Sequence, residues 1–328
     1  MTASNRARVI PSAEESRTPN PEPRTPSLGV EIAGIQFKNP VLAAPGPMGF
    51  GREVQSVIDL RAFGGFVTKS VTVEPRAGNP YPQIVQTPAG WLNSLGLPNS
   101  GLGAFMTKDL PFLRTLDIPV VVSVAGESID EFVTLVEWVS QEPGVAAVEI
   151  NVACPNVRAG LTFGVAPSLI NELISTLRPR SPRPLFVKLT PNVADIAAVA
   201  RAAEDGGADA LALINTILGL SIDVDRRRPK LGGTTGGLSG PAVRPVAVRM
   251  VWEVARACSI PVIGMGGISS AEDALEFFIA GAHAIAVGSA VIDNPNVATQ
   301  LCNGLTQYLE RNNMSSISEV VGTLEITV

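Results

Sequence analysis

Cysteine is scarce in this chain: three in 328 residues, at Cys154, Cys258 and Cys302, with no CxxC pair and no cluster. That excludes a disulfide framework and leaves no thiol set for zinc or an iron–sulfur centre, so no metal is expected. The single histidine, His283, excludes any mechanism that needs two. Positive charge is also short, 25 Lys and Arg against 30 Asp and Glu, a net charge of −5. Without a broad basic surface, nucleic acid is not an expected partner. The first 27 residues contain no apolar run, which excludes a secretory signal or a membrane span there. Glu14, Glu15 and Glu22 argue against a transit peptide. Low hydrophobicity and repeated proline instead predict a disordered tail over 1–27 and one folded domain over 28–328. A reducing cytoplasm is the expected compartment.

Aromatic residues are only 5% of the chain although 45% is hydrophobic, so Val, Ile, Leu and Ala must build the core. They occur in eight short runs: 41–45, 65–71, 119–126, 145–154, 184–191, 208–216, 260–268 and 282–291. Helix-sized stretches separate them, with amphipathic spacing over 131–139, 168–177, 195–207 and 242–258. Pro167 and Asp195 are N-terminal helix signals, and Gly206-Gly207 is a C-terminal one. This alternation predicts an α/β fold, a (β/α)8 TIM barrel, with an open doubly wound sheet as the structural alternative. Residues 30–40 predict a small N-terminal β-hairpin turning at Gly34 and closing the barrel floor. The connections 72–118 and 217–241 are too long for simple crossovers and are expected to lie over the C-terminal face.

The unusual polar residues fall at the C-terminal ends of the predicted strands: Lys69-Ser70, Asn151, Cys154, Lys188 and Asn215-Thr216. Gly266-Gly267 and Gly288-Ser289 end the seventh and eighth strands, the usual phosphate place of such barrels. Tight-turn glycine is the plainer reading of each pair. Lysines inside apolar strands are costly to leave unpaired, so Lys69 and Lys188 are expected to meet anionic or polar ligand atoms. A Schiff-base nucleophile and a structural ion pair are the rival roles. Cys154 is followed at once by Pro155-Asn156, which breaks the strand and sets the thiol in a loop over the mouth. There it could serve as base or nucleophile, against the ordinary reading of a small buried hydrophobe. Cys258, Cys302 and His283 read as structural, and the RRRPK tract at 226–230 as a solvated loop.

The segments VTKSVTVEPRAGNP (67–80), NSLGLPN (93–99), EINVACPNV (149–157), VKLTPNV (187–193), LINT (213–216), GGLSGPA (236–242) and IGMGGI (263–268) resemble the signature segments of class 1 dihydroorotate dehydrogenases. The resemblance runs from about residue 28 to near 295. LINTILGLSID, GGLSGP and CPNVRAGLTFG are most similar to class 1B catalytic subunits.

The resemblance implies FMN in the barrel mouth, with Gly266, Gly267, Gly288 and Ser289 at its phosphate and Ile214 and Gly240 alongside. Ala44, Pro45, Gly46, Lys69, Ser70, Ser123 and Asn151 would adjoin the flavin, and Lys188 its pyrimidine end. Lys69, Asn93, Ser94, Leu95, Gly96, Leu97, Asn151, Asn156, Asn215 and Thr216 would bind the substrate. It further implies that Cys154 takes the C5 proton of dihydroorotate while hydride passes from C6 to flavin N5, giving orotate. Lys69 and Lys188 would assist, under a lid over 154–164 that includes Gly160 and Gly164. A homodimer is implied, as is a heterotetramer with a subunit carrying FAD and an iron–sulfur cluster that passes electrons to NAD. Fumarate is the competing oxidant. Pro45, Ser123 and Ala153 stand where the family more often has serine, asparagine and serine. The rival enzymes are a dihydropyrimidine dehydrogenase-like barrel and a Schiff-base aldolase using Lys188; Asn156 favours dihydroorotate over the first.

Overall fold

The computed structural model describes residues 26–153 and 163–326. Its eight parallel strands close on themselves, each pairing with the next in sequence and the last with the first. They are β1 (Val41–Ala43), β2 (Gly65–Val67), β3 (Val120–Val124), β4 (Val145–Asn151), β5 (Leu185–Lys188), β6 (Ala210–Leu213), β7 (Val262–Met265) and β8 (Ala284–Val287). All eight lie within the expected runs. The apolar residues of these runs are buried on both faces, as a barrel sheathed in helices requires. The closed barrel replaces the open-sheet alternative.

Outer helices α1 (Ile129–Ser140), α2 (Pro167–Leu177), α3 (Ile196–Asp205), α4 (Arg244–Ala257), α5 (Ala271–Ala280) and α6 (Val297–Arg311) follow β3 to β8. Their ends obey local chemistry. Ser128 accepts from the Glu131 N–H at 3.3 Å, and Asp195 from the Ala198 N–H at 2.9 Å. Ser270 and Asp273 form a reciprocal capping box at the start of α5. Gly207, at φ +100°, turns the chain out of α3.

The floor is the predicted hairpin, Val30–Ile32 against Ile35–Phe37. Ala33 and Gly34 both have positive φ, the tight turn that matches strand twist. Phe37 packs against Gly65, where a Cβ would stand 2.7 Å from its ring, so the aromatic plug needs glycine at the start of β2. The folded body begins slightly earlier than the composition suggests. Ser27 donates to the Ser315 carbonyl and accepts from the Ile317 N–H, tying the chain's entry to its C-terminal segment. The rest of the expected tail, 1–25, lies outside the described residues.

The two long connections lie over the C-terminal face as expected, and they do so together. Ile84–Thr87 and Gly90–Asn93 from the first join Gly236–Ser239 and Ile217–Gly219 from the second in one four-stranded antiparallel sheet. The RRRPK tract contributes the exposed strand Arg228–Pro229 of a separate small hairpin with Ile222–Asp223.

Candidate active site

Because every barrel strand runs in the same direction, their C-terminal ends meet at one rim. A cavity of about 620 Å3 opens there under the four-stranded roof. It falls within the range of small-molecule and cofactor sites. Lys69, Ser70, Asn151, Lys188, Ile214, Asn215 and Thr216 reach it from β2, β4, β5 and β6. Ala44, Pro45 and Gly46 line it from the end of β1, Gly266, Gly267, Gly288 and Ser289 from β7 and β8, and Asn93, Leu95, Gly96, Leu97 and Gly240 from the roof and its loops.

Two expected contact residues stand behind this wall rather than in it. Ser123 is buried on β3, its Oγ 2.9 Å from Ser70 Oγ. Ser94 is buried too and accepts from Asn79 Nδ2 at 3.1 Å. Cys154, Asn156 and Gly160 lie outside the described residues. The chain on either side of them is placed: Val152 and Ala153 are buried, and Gly164 packs so closely that a Cβ would stand 2.1 Å from the Val152 carbonyl.

Asn151 is engaged at both ends of its amide. Its Nδ2 donates to Ser70 Oγ at 2.8 Å, and its Oδ1 accepts from the Ala153 N–H at 3.1 Å. This pairing fixes the side chain and ties β2 and β3, through Ser70 and Ser123, to the residue preceding Cys154. Asn215 Oδ1 accepts from the Thr216 N–H at 2.8 Å, and Asn192 Nδ2 donates to the Thr216 carbonyl at 3.1 Å. Leu97, a non-glycine residue at φ +57°, holds a left-handed conformation in the loop after the roof strand. Such backbone concentrates at ligand sites.

Lys69 is largely withdrawn from water. Burial pushes its ammonium below the usual lysine pKa, with the Glu53 carboxylate pulling the other way. A second anion at the mouth would therefore be welcome. Away from the cavity, burial pushes the thiols of Cys258 and Cys302 up to about 12 and about 11, so both are inert. His283 accepts the Val262 N–H at Nδ1 beside the start of β8, and burial lowers its pKa.

At the rim of β7 and β8 the backbone approaches whatever the cavity holds. Gly266 and Gly267 have φ +130° and +77°, and a Cβ on Gly267 would stand 2.6 Å from the Gly240 carbonyl. Asp273 braces this loop, its Oδ2 accepting the N–H groups of Ser269 and Ser270 at 2.9 Å each. Sequence reasoning missed the lining contributed by Gln86, Thr87, Pro88, Ala89, Gly90 and Trp91. The signal was Gly90 itself, at φ +144°, which meets the other long connection: a Cβ there would stand 1.9 Å from the Ser239 carbonyl. Gly90→Ala is accordingly expected to break the roof. It should lower the melting temperature by several degrees and admit limited proteolysis within 84–93; an unchanged digest would show the roof does not need this approach.

The family model for dihydroorotate dehydrogenase matches residues 27–309. The chain is 48% identical over 300 residues to the catalytic subunit of dihydroorotate dehydrogenase B (NAD(+)) of Geotalea uraniireducens, covering 91% of this chain and 98% of that one. It is 50% identical over 301 residues to the subunit so named of a Thermoanaerobacter species, covering 92% and 99%. That of Desulforudis audaxviator is 50% identical over 299 residues, covering 91% and 97%. With the motifs, the cavity and these matches in agreement, the chain belongs to the dihydroorotate dehydrogenase family of oxidoreductases, in its class 1B branch.

Proposed function

We propose that this chain oxidises dihydroorotate to orotate in pyrimidine biosynthesis, with FMN bound in the barrel-mouth cavity and Cys154 as the base. The observation that carries this reading is the convergence of Lys69, Lys188, Asn93, Asn215 and Thr216 on one cavity with the glycine rim of β7 and β8. The rim suits a phosphate, since glycine backbone admits an anion where a side chain would collide. Lys188, 4% exposed, suits the pyrimidine edge of a flavin that gains negative charge on reduction. FMN, when bound, supplies the acceptor for the hydride that leaves C6.

The residues of this chain do the rest. The Lys69 ammonium, disfavoured by burial, gains from the substrate carboxylate the counter-charge that Glu53 supplies only in part. Asparagine amides pair with ring N–H and C=O groups, each offering a donor and an acceptor. Cys154 takes the C5 proton, made weakly acidic by the neighbouring carbonyl. Asn151 accepts from the Ala153 N–H and so fixes the residue that precedes Cys154. A lid over 154–164 would exclude water during the transfer.

Electrons are proposed to leave through a separate subunit carrying FAD and an iron–sulfur cluster, and then to NAD. The relatives named above support this, being called catalytic subunits of an NAD(+) enzyme. A cytoplasmic assembly is proposed from the scarcity of cysteine. Among the described residues no helix is long and apolar enough to cross a membrane.

Two chains are proposed to pair through the roof. Ile217–Gly219 is an edge strand, and the exposed Leu218, Leu220, Ile222 and Val224 alternate along it and the hairpin beyond. Replacing Leu220 and Val224 by lysine should convert the dimer to a monomer in light scattering; a dimer that persists would move the interface elsewhere.

The activity is tested anaerobically. Dihydroorotate added to the wild-type protein should bleach the flavin band, and Cys154→Ala should slow bleaching by roughly 100-fold or more. A yellow wild-type protein that stays yellow would keep the flavin and remove the substrate.

A further inference from the structure

The fourth strand carries a charged group that the mechanism above does not use. Glu149 is 1% exposed, and its Oε1 is buried without a hydrogen-bond partner. It stands two residues before Asn151, which lines the cavity, so both side chains lie on the inward face of the barrel. The register gives its neighbours on that face. Glu149 pairs with Ser123 on β3 and with Phe186 on β5, and Asn151 pairs with Lys188. Lys188 follows Phe186 by two, so Glu149 and Lys188 are diagonal neighbours inside the barrel. Their Cβ atoms are therefore about 7 Å apart.

The other buried polar residues within the eight strands, Ser123 and Asn151, are neutral. Asp273, the other buried acid among the described residues, belongs to the first turn of α5 and pairs with Arg244. Glu149 and Lys188 are thus the two buried charged residues within the eight strands, and they are opposite in sign. An unsatisfied carboxylate one layer below the mouth is costly, and an apolar residue of similar size would be the more stable filling. Lys188 supplies the reason for its presence. Burial disfavours an ammonium unless an opposite charge lies nearby.

We propose that Glu149 is a positioning residue: its carboxylate balances the Lys188 ammonium from beneath and so sets the reduction potential of the flavin above it. This rests on the placement of FMN against Lys188 proposed above. The pair presents its positive end to the cofactor and its negative end to the barrel interior, so reduced, anionic flavin is favoured while Lys188 stays charged. Without Glu149 the ammonium loses a counter-charge that holds it in place beneath the flavin, and reduction becomes harder.

The test is the flavin midpoint potential of the purified holoenzyme, measured anaerobically against redox dyes. Glu149→Gln should lower it by at least a tenfold change in the reduction equilibrium, ~30 mV for a two-electron couple. Glu149→Leu, which removes the unsatisfied oxygen along with the charge and is the safer variant to fold, should lower it similarly. Glu149→Asp, which keeps the charge, should restore part of the loss. In a Lys188→Met background, Glu149→Gln should cause no further fall. A potential unchanged or raised in the Gln and Leu variants would overturn the proposal, as would an equal fall in the Lys188→Met background. A wild-type protein without flavin would instead overturn the cofactor reading, and this proposal with it.

Discussion

Parallel closure is the constraint on which the rest of the molecule depends. Eight strands that all run the same way must each be returned to the floor by a crossover connection, so every strand exits at one rim. Lys69, Asn151, Lys188 and Asn215 are dispersed along nearly 150 residues of sequence, yet they face one cavity because each lies at or just past such an exit. The same closure explains the sharp contrast between strand interiors and strand ends. Below the rim the strands take mainly aliphatics, with Phe66 and Phe186, and Ser123 and Glu149 are the polar exceptions; at the rim come amides, lysines and glycines.

The second organising contact is between backbones. Gly90 and Gly240 come so close that a Cβ on Gly240 would stand 2.6 Å from the Gly90 Cα. That approach joins two connections far apart in sequence into a single roof over the cavity. It also gives the glycines of GGLSGP two separate duties. Gly236 and Gly237 pack the roof strands, with a Gly237 Cβ 2.0 Å from Thr216 Oγ1, whereas Gly240 faces the cavity beside Gly267.

Much of this was legible in the sequence, for physical reasons. Strands buried on both faces must be continuously apolar, so VVVSV and LFVK are visible without knowing their partners. A lysine inside such a strand stands out by its cost, and Lys69 and Lys188 both reach the cavity. The roof was not legible: its strands are only three or four residues long, and the central pairing, Asn93 with Gly237, spans 144 residues, which no local pattern records. Ser94 and Ser123 show the limit of transferring contacts from motifs. Each lies next to a lining residue, but one step of chain or one strand of depth turns it into support. Glu149 is plain in the run VAAVEIN, but which side of the sheet it faces depends on strand register.

The account's central claim is that one cavity holds two ligands, a flavin on the glycine rim and a pyrimidine carboxylate beside Lys69. Orotate affinity, measured calorimetrically with and without bound FMN, tests this most directly. The flavin should form one wall of the orotate site, so affinity should fall at least tenfold in the FMN-free protein and again with Lys69→Ala. Equal orotate binding with and without FMN, insensitive to Lys69→Ala, would contradict the shared cavity.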